Sequence, residues 1–406
     1  MAKLSQFISK FLHPTSTGIN NIPSLDGVRG VAILMVIVCH FFAFSVITGG
    51  GFPIILKISG HPFEINKLLM SGSYGVRLFF FLSAFLLFMP YARTNLLGIK
   101  KVDTKLFYRR RVARILPAYL LVLFALSLAW LVNETPFSWL NFLLNLFFIH
   151  PFFPFKNDVG SEFIPGTWSL VTEVHFYLIL PWIAWFFSSI KKGALSALTL
   201  MVLSFLYRAC IAYITAPSVN FTLIHNILGH IDIFGLGMLA ALIYVKYTEK
   251  GCINIPTWIP YLLLASGFLL ISGFITYRCI HNGRFPPFIS DYETLLGLSF
   301  FMIVLGVVLG PSPVRQLMEW EPLRIVGLIS YSMFLINILL AKYLLSPIMG
   351  MLTIIDPLHR LTFNMTVGVV MLLIVSIPLY LYVEKPFLIK KWYLKYPKNH
   401  QPQQLV

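Results

Sequence analysis

Apolar runs recur from residue 27 to residue 383 with no long polar interruption, each near the roughly 20 residues that a helix needs to cross a bilayer. A chain built this way must satisfy its backbone polar groups within helices, because lipid offers them no partner. Composition agrees: 58% of residues are hydrophobic, 11% are charged and mean hydropathy is +0.81, where a soluble protein carries about 25% charged residues. A soluble globular enzyme is excluded. Spans are predicted at 27–48, 74–91, 116–133, 167–187, 193–213, 226–245, 257–277, 293–311, 324–344 and 363–383. An eleventh apolar stretch, 139–155, carries Asn141, Asn145, His150, Pro151 and Pro154.

Basic residues decide between ten and eleven crossings, since each crossing exchanges the side of every later loop and cytoplasmic loops concentrate Lys and Arg. With ten, 21 basic residues fall inside and seven outside. With eleven the split is about 15 to 13 and the bias disappears. The expected fold is therefore an all-α polytopic membrane protein of ten transmembrane helices, with 134–166 a re-entrant or interfacial segment after the third and both termini cytoplasmic. Residues 1–26 form a cytoplasmic N-terminal segment without the marks of a removable signal peptide. Residues 27–383 form one membrane domain, and 384–406 a basic cytoplasmic tail. The net charge of +16 sits in short clusters between apolar runs, which suits anionic lipid and a phosphate-bearing small molecule rather than nucleic acid. Cys39, Cys210, Cys252 and Cys279 lie far apart, so neither a disulfide framework nor a zinc site is expected.

Polar residues inside lipid are expensive and mark sites. Arg29 and His40, in LDGVRGVAILMVIVCHFF, are about three helical turns apart, on one face and about 16 Å apart along the axis. Arg29 at the cytoplasmic mouth suits an anion and the deeper His40 suits proton exchange. A positive-inside anchor and a core histidine explain the same two residues. Asp26 reads as a helix N-cap. Glu173, in GTWSLVTEVHFYLILP, has no Lys or Arg within ten residues on either side and needs a specific partner. Helical rise sets it about 9 Å below the outer boundary and His40 about 12 Å below. A Glu–His pair at one depth is expected to serve as a general base, the carboxylate orienting the imidazole; a buried structural pair is the alternative. Tyr177, one turn further on, donates to Glu173 or fills the core.

In KVDTKLFYRRRVARILPAYL, Arg111 and Arg114 project from one helix face. Arginine forks suit phosphate oxygens, and the same basic segment suits anionic lipid. Asn337, in GLISYSMFLIN, lies about 20 Å above the cytoplasmic side by helical rise, near the depth of His40. It binds substrate or bonds a neighbouring helix. Arg77, Arg208, Asp232 and Arg284 fall in the outer half, where acceptor contact and packing explain them equally.

The segments LDGVRGVAILMVIVCHF, GVRLFFFLSAFLLF, RRRVARILPAYL, GTWSLVTEVHFYLILP, ISYSMFLIN and VEKPF, in this order, resemble the acyltransferase-3 family of membrane O-acetylases over most of the chain. The resemblance implies a ten-helix enzyme that moves an acyl group, commonly acetyl, from cytoplasmic acyl-CoA to a hydroxyl, usually of a carbohydrate. It implies donor binding by Arg29, Arg111 and Arg114 and catalysis by His40 and Glu173; Tyr177 and Asn337 are the candidate substrate-binding residues. Two positions depart from the family pattern: Asn337 stands where a histidine is frequent, and SAFL replaces the common SGFL at Ala84. Some members carry an extracytoplasmic hydrolase-like domain, which is not expected in this sequence. The acyl group then goes straight to its acceptor, or a separate protein completes the transfer.

The expected activity is O-acylation of a surface polysaccharide or lipid-linked glycan precursor in the cytoplasmic (inner) membrane of a bacterium. Acetyl-CoA is the expected donor, a carbohydrate or glycolipid the acceptor and membrane lipid a partner, with no metal. The alternative is a multi-span transporter or flippase for an anionic solute or glycolipid, since buried Arg, His and Glu also build ion-coupled pathways. Only the enzyme releases free coenzyme A thiol in membranes supplied with acceptor. A reporter fused at residue 190 is expected to read cytoplasmic; an external signal would overturn the ten-crossing topology.

Overall fold

Backbone groups denied water are satisfied inside helices, and helices carry most of the computed structural model, which describes residues 22–48, 55–58, 61–133, 137–153, 162–214, 223–250, 255–281, 292–310 and 312–389. In chain order these helices are α1 (Pro23–Thr48), α2 (Ile65–Met70), α3 (Tyr74–Leu97), α4 (Thr104–Val132), α5 (Trp139–Leu146), α6 (Trp168–Ile183), α7 (Ile190–Ile214), α8 (Ile227–Tyr244), α9 (Trp258–Ile280) and α10 (Tyr292–Val308). Then come α11 (Pro313–Met318), α12 (Glu321–Leu328), α13 (Ser330–Leu340), α14 (Ser346–Met351), α15 (Pro357–Phe363), α16 (Val369–Pro378) and α17 (Lys385–Ile389). A two-stranded antiparallel hairpin, β1 (Ile55–Ile58) with β2 (His61–Glu64), precedes α2.

Nine helices among the described residues are long and apolar enough to cross a membrane, and a tenth apolar helix, Glu293–Val308, is shorter. The chain is an all-α polytopic membrane protein. Within 137–153 the one α-helix, α5, has 8 residues, a length of about 12 Å against a hydrocarbon core of about 30 Å. No crossing forms there; residues 134–136 and 154–161 lie outside the described residues.

Several boundaries differ from the sequence expectation. α4 starts at Thr104 because the Asp103 carboxylate accepts from the Leu106 N–H at 3.1 Å, so the basic residues from Lys105 to Arg114 are helical. The span expected at 324–344 is broken at Ile329, whose ψ of 4° ends α12, and the crossing helix instead runs Ser330–Met351. The last span is Pro357–Ile389, continued through two wider π turns at Asn364–Gly368 and Leu379–Glu384. Asp26 lies in the first turn of α1, not at its N-cap. There it complements the positive end of the helix dipole.

Small residues let the helices approach closely, the usual adhesive between helices in lipid. α1 lies against α12 so tightly that a Cβ on Gly327 would sit 1.8 Å from the Asp26 carbonyl oxygen, and one on Gly30 would sit 2.3 Å from that of Leu323. α8 meets α3 at Gly237, where a Cβ would come 2.8 Å from the Cβ of Ala84. Ala84 therefore occupies the space that glycine leaves on the facing helix.

Gly327→Ala forces α12 away from α1. Overpacking costs about 1–3 kcal/mol, so its thermal unfolding midpoint in detergent is expected to fall by several degrees. Gly273→Ala, where a Cβ would meet nothing within 4 Å, is expected to leave the midpoint unchanged. Equal midpoints for both variants would refute the close α1–α12 contact.

Candidate active site

Four arginines from three helices converge at one end of α1. The Arg111 guanidinium lies over the Tyr177 ring at 5.8 Å and the Phe107 ring at 6.0 Å, contacts of the cation–π kind. Arg114 approaches Glu384 at 3.9 Å, and Glu384 also accepts from the Ser332 hydroxyl. Arg29 is within electrostatic range of Asp26, Arg114 and Glu173, and Asp26 of Arg29, Arg324 and Arg114. The Nε atoms of Arg111 and Arg324 are buried with no hydrogen-bond partner among the described residues. Buried donors left unmet are costly, and an anion between these helices would satisfy them.

Glu173 belongs to this group. Its Oε1 accepts from the Ser83 and Tyr177 hydroxyls, and its charge reaches Arg29, Arg111 and Arg114. Ser83 comes from α3 and Tyr177 from the next turn of α6, so one carboxylate oxygen ties the two helices together. A cavity of about 60 Å³ is lined by Arg29, Ser83, Ser169, Glu173, Ser330 and Phe334, among others.

His40 stands apart from it. Its Nδ1 is 2.6 Å from Asn337 Oδ1, while Asn337 Nδ2 donates to the carbonyls of Met333 (3.2 Å) and Phe334 (2.6 Å). Those two bonds commit the amide nitrogen, so the amide oxygen faces the ring. An amide oxygen only accepts, hence Nδ1 carries the proton and Nε2 the lone pair. The shared depth of His40 and Asn337 expected from helical rise is thus observed.

The direct His40–Glu173 pair is not. No hydrogen bond or ion pair joins them among the described residues. Helical rise fixes height along an axis but not the tilt and lateral position of each helix, and these set Glu173 on the cavity that Arg29 also lines. Tyr177 donates to Glu173, as one of its two expectations had it. Arg77 and Arg208 are held in a separate outer cluster: Arg77 pairs with Glu293 at 2.7 Å and Arg208 with Asp232 at 3.0 Å, and Thr294 donates to Asp232 at 2.7 Å. Arg284 lies outside the described residues.

The sequence reading missed Glu384, Arg324 and Glu162. Glu384 is 1% exposed although it falls at the start of the expected tail; its place within VEKPF was the available signal. Arg324 counted only as a topological charge. Glu162 sits in the interfacial segment, where its two oxygens accept from Gly166 N at 2.5 Å and Trp168 N at 2.8 Å. Nothing in its flanking residues distinguishes it. Among the described residues no group of three or more His, Cys, Asp or Glu is placed to hold a metal ion.

A family model described as "Acyltransferase domain" matches residues 22–399. The chain is 24% identical over 343 residues to O-acetyltransferase OatA of Staphylococcus aureus (strain NCTC 8325 / PS 47), covering 77% of this chain and 49% of that protein. It is 24% identical over 340 residues to the putative peptidoglycan O-acetyltransferase YrhL of Bacillus subtilis (strain 168), covering 77% and 48%. The chain spans about half the length of these curated relatives. No solved structure matches. With the family model covering every described residue, the chain belongs to the acyltransferase-3 family.

Proposed function

We propose that the protein is an acyl-CoA-dependent O-acetyltransferase of the bacterial cytoplasmic membrane, both termini inside, acting on a hydroxyl of a cell-envelope carbohydrate. The relatives named as O-acetyltransferases, one of them a putative peptidoglycan O-acetyltransferase, support the reaction and the class of acceptor. The observation that carries the chemistry is the bond from His40 to Asn337, which leaves Nε2 as a base.

The donor phosphates fit the inner arginines. Arg29, Arg111 and Arg114 supply the charge, and the unmet Nε of Arg111 and of Arg324 marks room for acceptor oxygens. From there the thioester arm would follow α1 past the cavity at Ser83 and Glu173 toward His40, about 16 Å along the helix from Arg29. The acceptor hydroxyl gives its proton to His40 Nε2 as its oxygen bonds to the thioester carbonyl carbon. The C–S bond then breaks and the imidazolium returns the proton to the leaving sulfur, so no covalent acyl-enzyme is needed. Asn337 acts by positioning the imidazole rather than by touching substrate. Glu173 acts on the donor side: through Ser83 and Tyr177 it fixes the cavity wall, and Tyr177 in turn carries Arg111.

Replacing both Arg111 and Arg114 with Gln is expected to raise the KM for acetyl-CoA at least tenfold, since charge-assisted hydrogen bonds are worth about 1.5–3 kcal/mol each, with the acceptor KM little changed. An unchanged donor KM in a stably inserted protein would make these residues lipid anchors. His40→Ala is expected to lower kcat by about 10²–10⁴-fold, the usual worth of general-base catalysis, with donor binding retained; a loss under tenfold would refute the assignment. Since Glu173 does not touch His40, the losses from His40→Ala and Glu173→Gln should multiply in the double variant, as they do for independent sites. A double variant no worse than the poorer single would restore the two residues to one catalytic unit.

A further inference from the structure

A histidine that takes a proton within a membrane carries a positive charge until it gives the proton back. Asn337 orients the ring but brings no charge to it, and Glu173 is bonded elsewhere. The loop before α6 offers the missing anion. Glu162 is pinned there by Gly166 N at 2.5 Å and Trp168 N at 2.8 Å. Gly166 has φ +86° and lies so close to α13 that a Cβ on it would stand 3.0 Å from Ile338 Cδ1. Ile338 is the neighbour of Asn337 in α13, so the turn that holds the Glu162 carboxylate packs against the helix that holds His40.

His150 lies beside Glu162. It is 1% exposed, its Nε2 lies 3.8 Å from Glu162 Oε1, and neither ring nitrogen has a hydrogen-bond partner among the described residues. The Glu162 charge reaches both His40 and Tyr119. The other charges on the packed helices are committed or distant. Arg77 of α3 is tied to Glu293, Arg360 of α15 donates to the Ile354 carbonyl at 2.7 Å, and Arg29 of α1 is about 16 Å down the axis. Tyr119 of α4 donates to the Asn145 carbonyl at 2.9 Å.

We infer that Glu162 is the positioning carboxylate of His40, holding the imidazolium that forms between deprotonation of the acceptor hydroxyl and reprotonation of the leaving sulfur. The proton never leaves the site: it passes from acceptor oxygen to Nε2 to sulfur and is not relayed to Glu162. The inference rests on the transferase reading above and adds to it a residue on the acceptor side.

The test is the pH–rate profile of coenzyme A thiol release by the full chain in membrane vesicles, with acetyl-CoA and cell-wall glycan fragments as substrates. Glu162→Gln removes the charge but keeps an acceptor oxygen for α6. The acid limb of its profile is expected to move about one pH unit lower, because loss of a nearby anion makes the imidazole harder to protonate. The plateau rate should fall about tenfold, with the KM for acetyl-CoA within twofold of wild type. Glu162→Asp should keep the wild-type limb. A rate lowered by one factor at every pH in Glu162→Gln, or a limb that moves equally in Glu162→Asp, overturns the inference. If Glu162→Gln does not insert, the shorter pair Glu162→Asn and Glu162→Asp makes the same comparison. The two failures are separable: absence of acceptor-dependent thiol release by the wild-type chain sinks the transferase reading and a His40→Ala variant as active as wild type sinks His40 as its base, whereas an inactive His40→Ala beside an unshifted Glu162→Gln sinks only the role of Glu162.

Discussion

A guanidinium held among apolar helices needs an anion or hydroxyl within reach, and the placement of the polar residues follows from that requirement. Toward one end of α1, Arg29, Arg111, Arg114 and Arg324 share a small region with Asp26, Glu173 and Glu384. In the outer cluster the pairing is tighter: Arg77 meets Glu293 through three hydrogen bonds and Arg208 meets Asp232 and Thr294. The two clusters differ in kind. Each outer ion pair closes at 3.0 Å or less, whereas in the inner region Arg114 stands 3.9 Å from Glu384 and the Nε atoms of Arg111 and Arg324 have no hydrogen-bond partner among the described residues. A closed pair holds helices together; an open one has capacity for a ligand.

Between these clusters α1 is the common wall. Gly27, Gly30 and Gly327 bring it against α11 and α12 at backbone distance, and Gly72 and Gly75 do the same toward the chain around α3. Close seating on both flanks fixes the rotation of α1 about its axis, and thereby where Arg29 and His40 point. A general base works only when its lone pair is aimed. Here the aim comes from backbone packing on one side and from a committed amide on the other.

Much of this was legible in the sequence because it depends on quantities that a linear chain carries. Crossing segments follow from apolar length, the shared face of Arg111 and Arg114 from helical period, and the common depth of His40 and Asn337, though not their hydrogen bond, from rise along two crossing helices. The expected partnership of His40 with Glu173 failed for the complementary reason: lateral position and tilt are set by which glycines face which backbones, and a single sequence does not report them. Glu162 and Glu384 were overlooked because each lies where a charged residue looks ordinary, one in an interfacial segment and one at the start of a basic tail. The break at Ile329 was hidden inside a continuous apolar run.

The contact between Ala84 and Gly237 places one methyl group on α3 where α8 has none. A Cβ at Gly237 would also stand 2.5 Å from the Phe81 carbonyl oxygen and 3.2 Å from the Phe85 nitrogen, so glycine at position 84 would not by itself make room for a methyl on α8. The backbone of α3, as much as the Ala84 methyl, requires glycine at position 237. A chimera whose α8 brings any larger residue to position 237 therefore drives α8 from α3 at this crossing even when every polar residue of the site is retained.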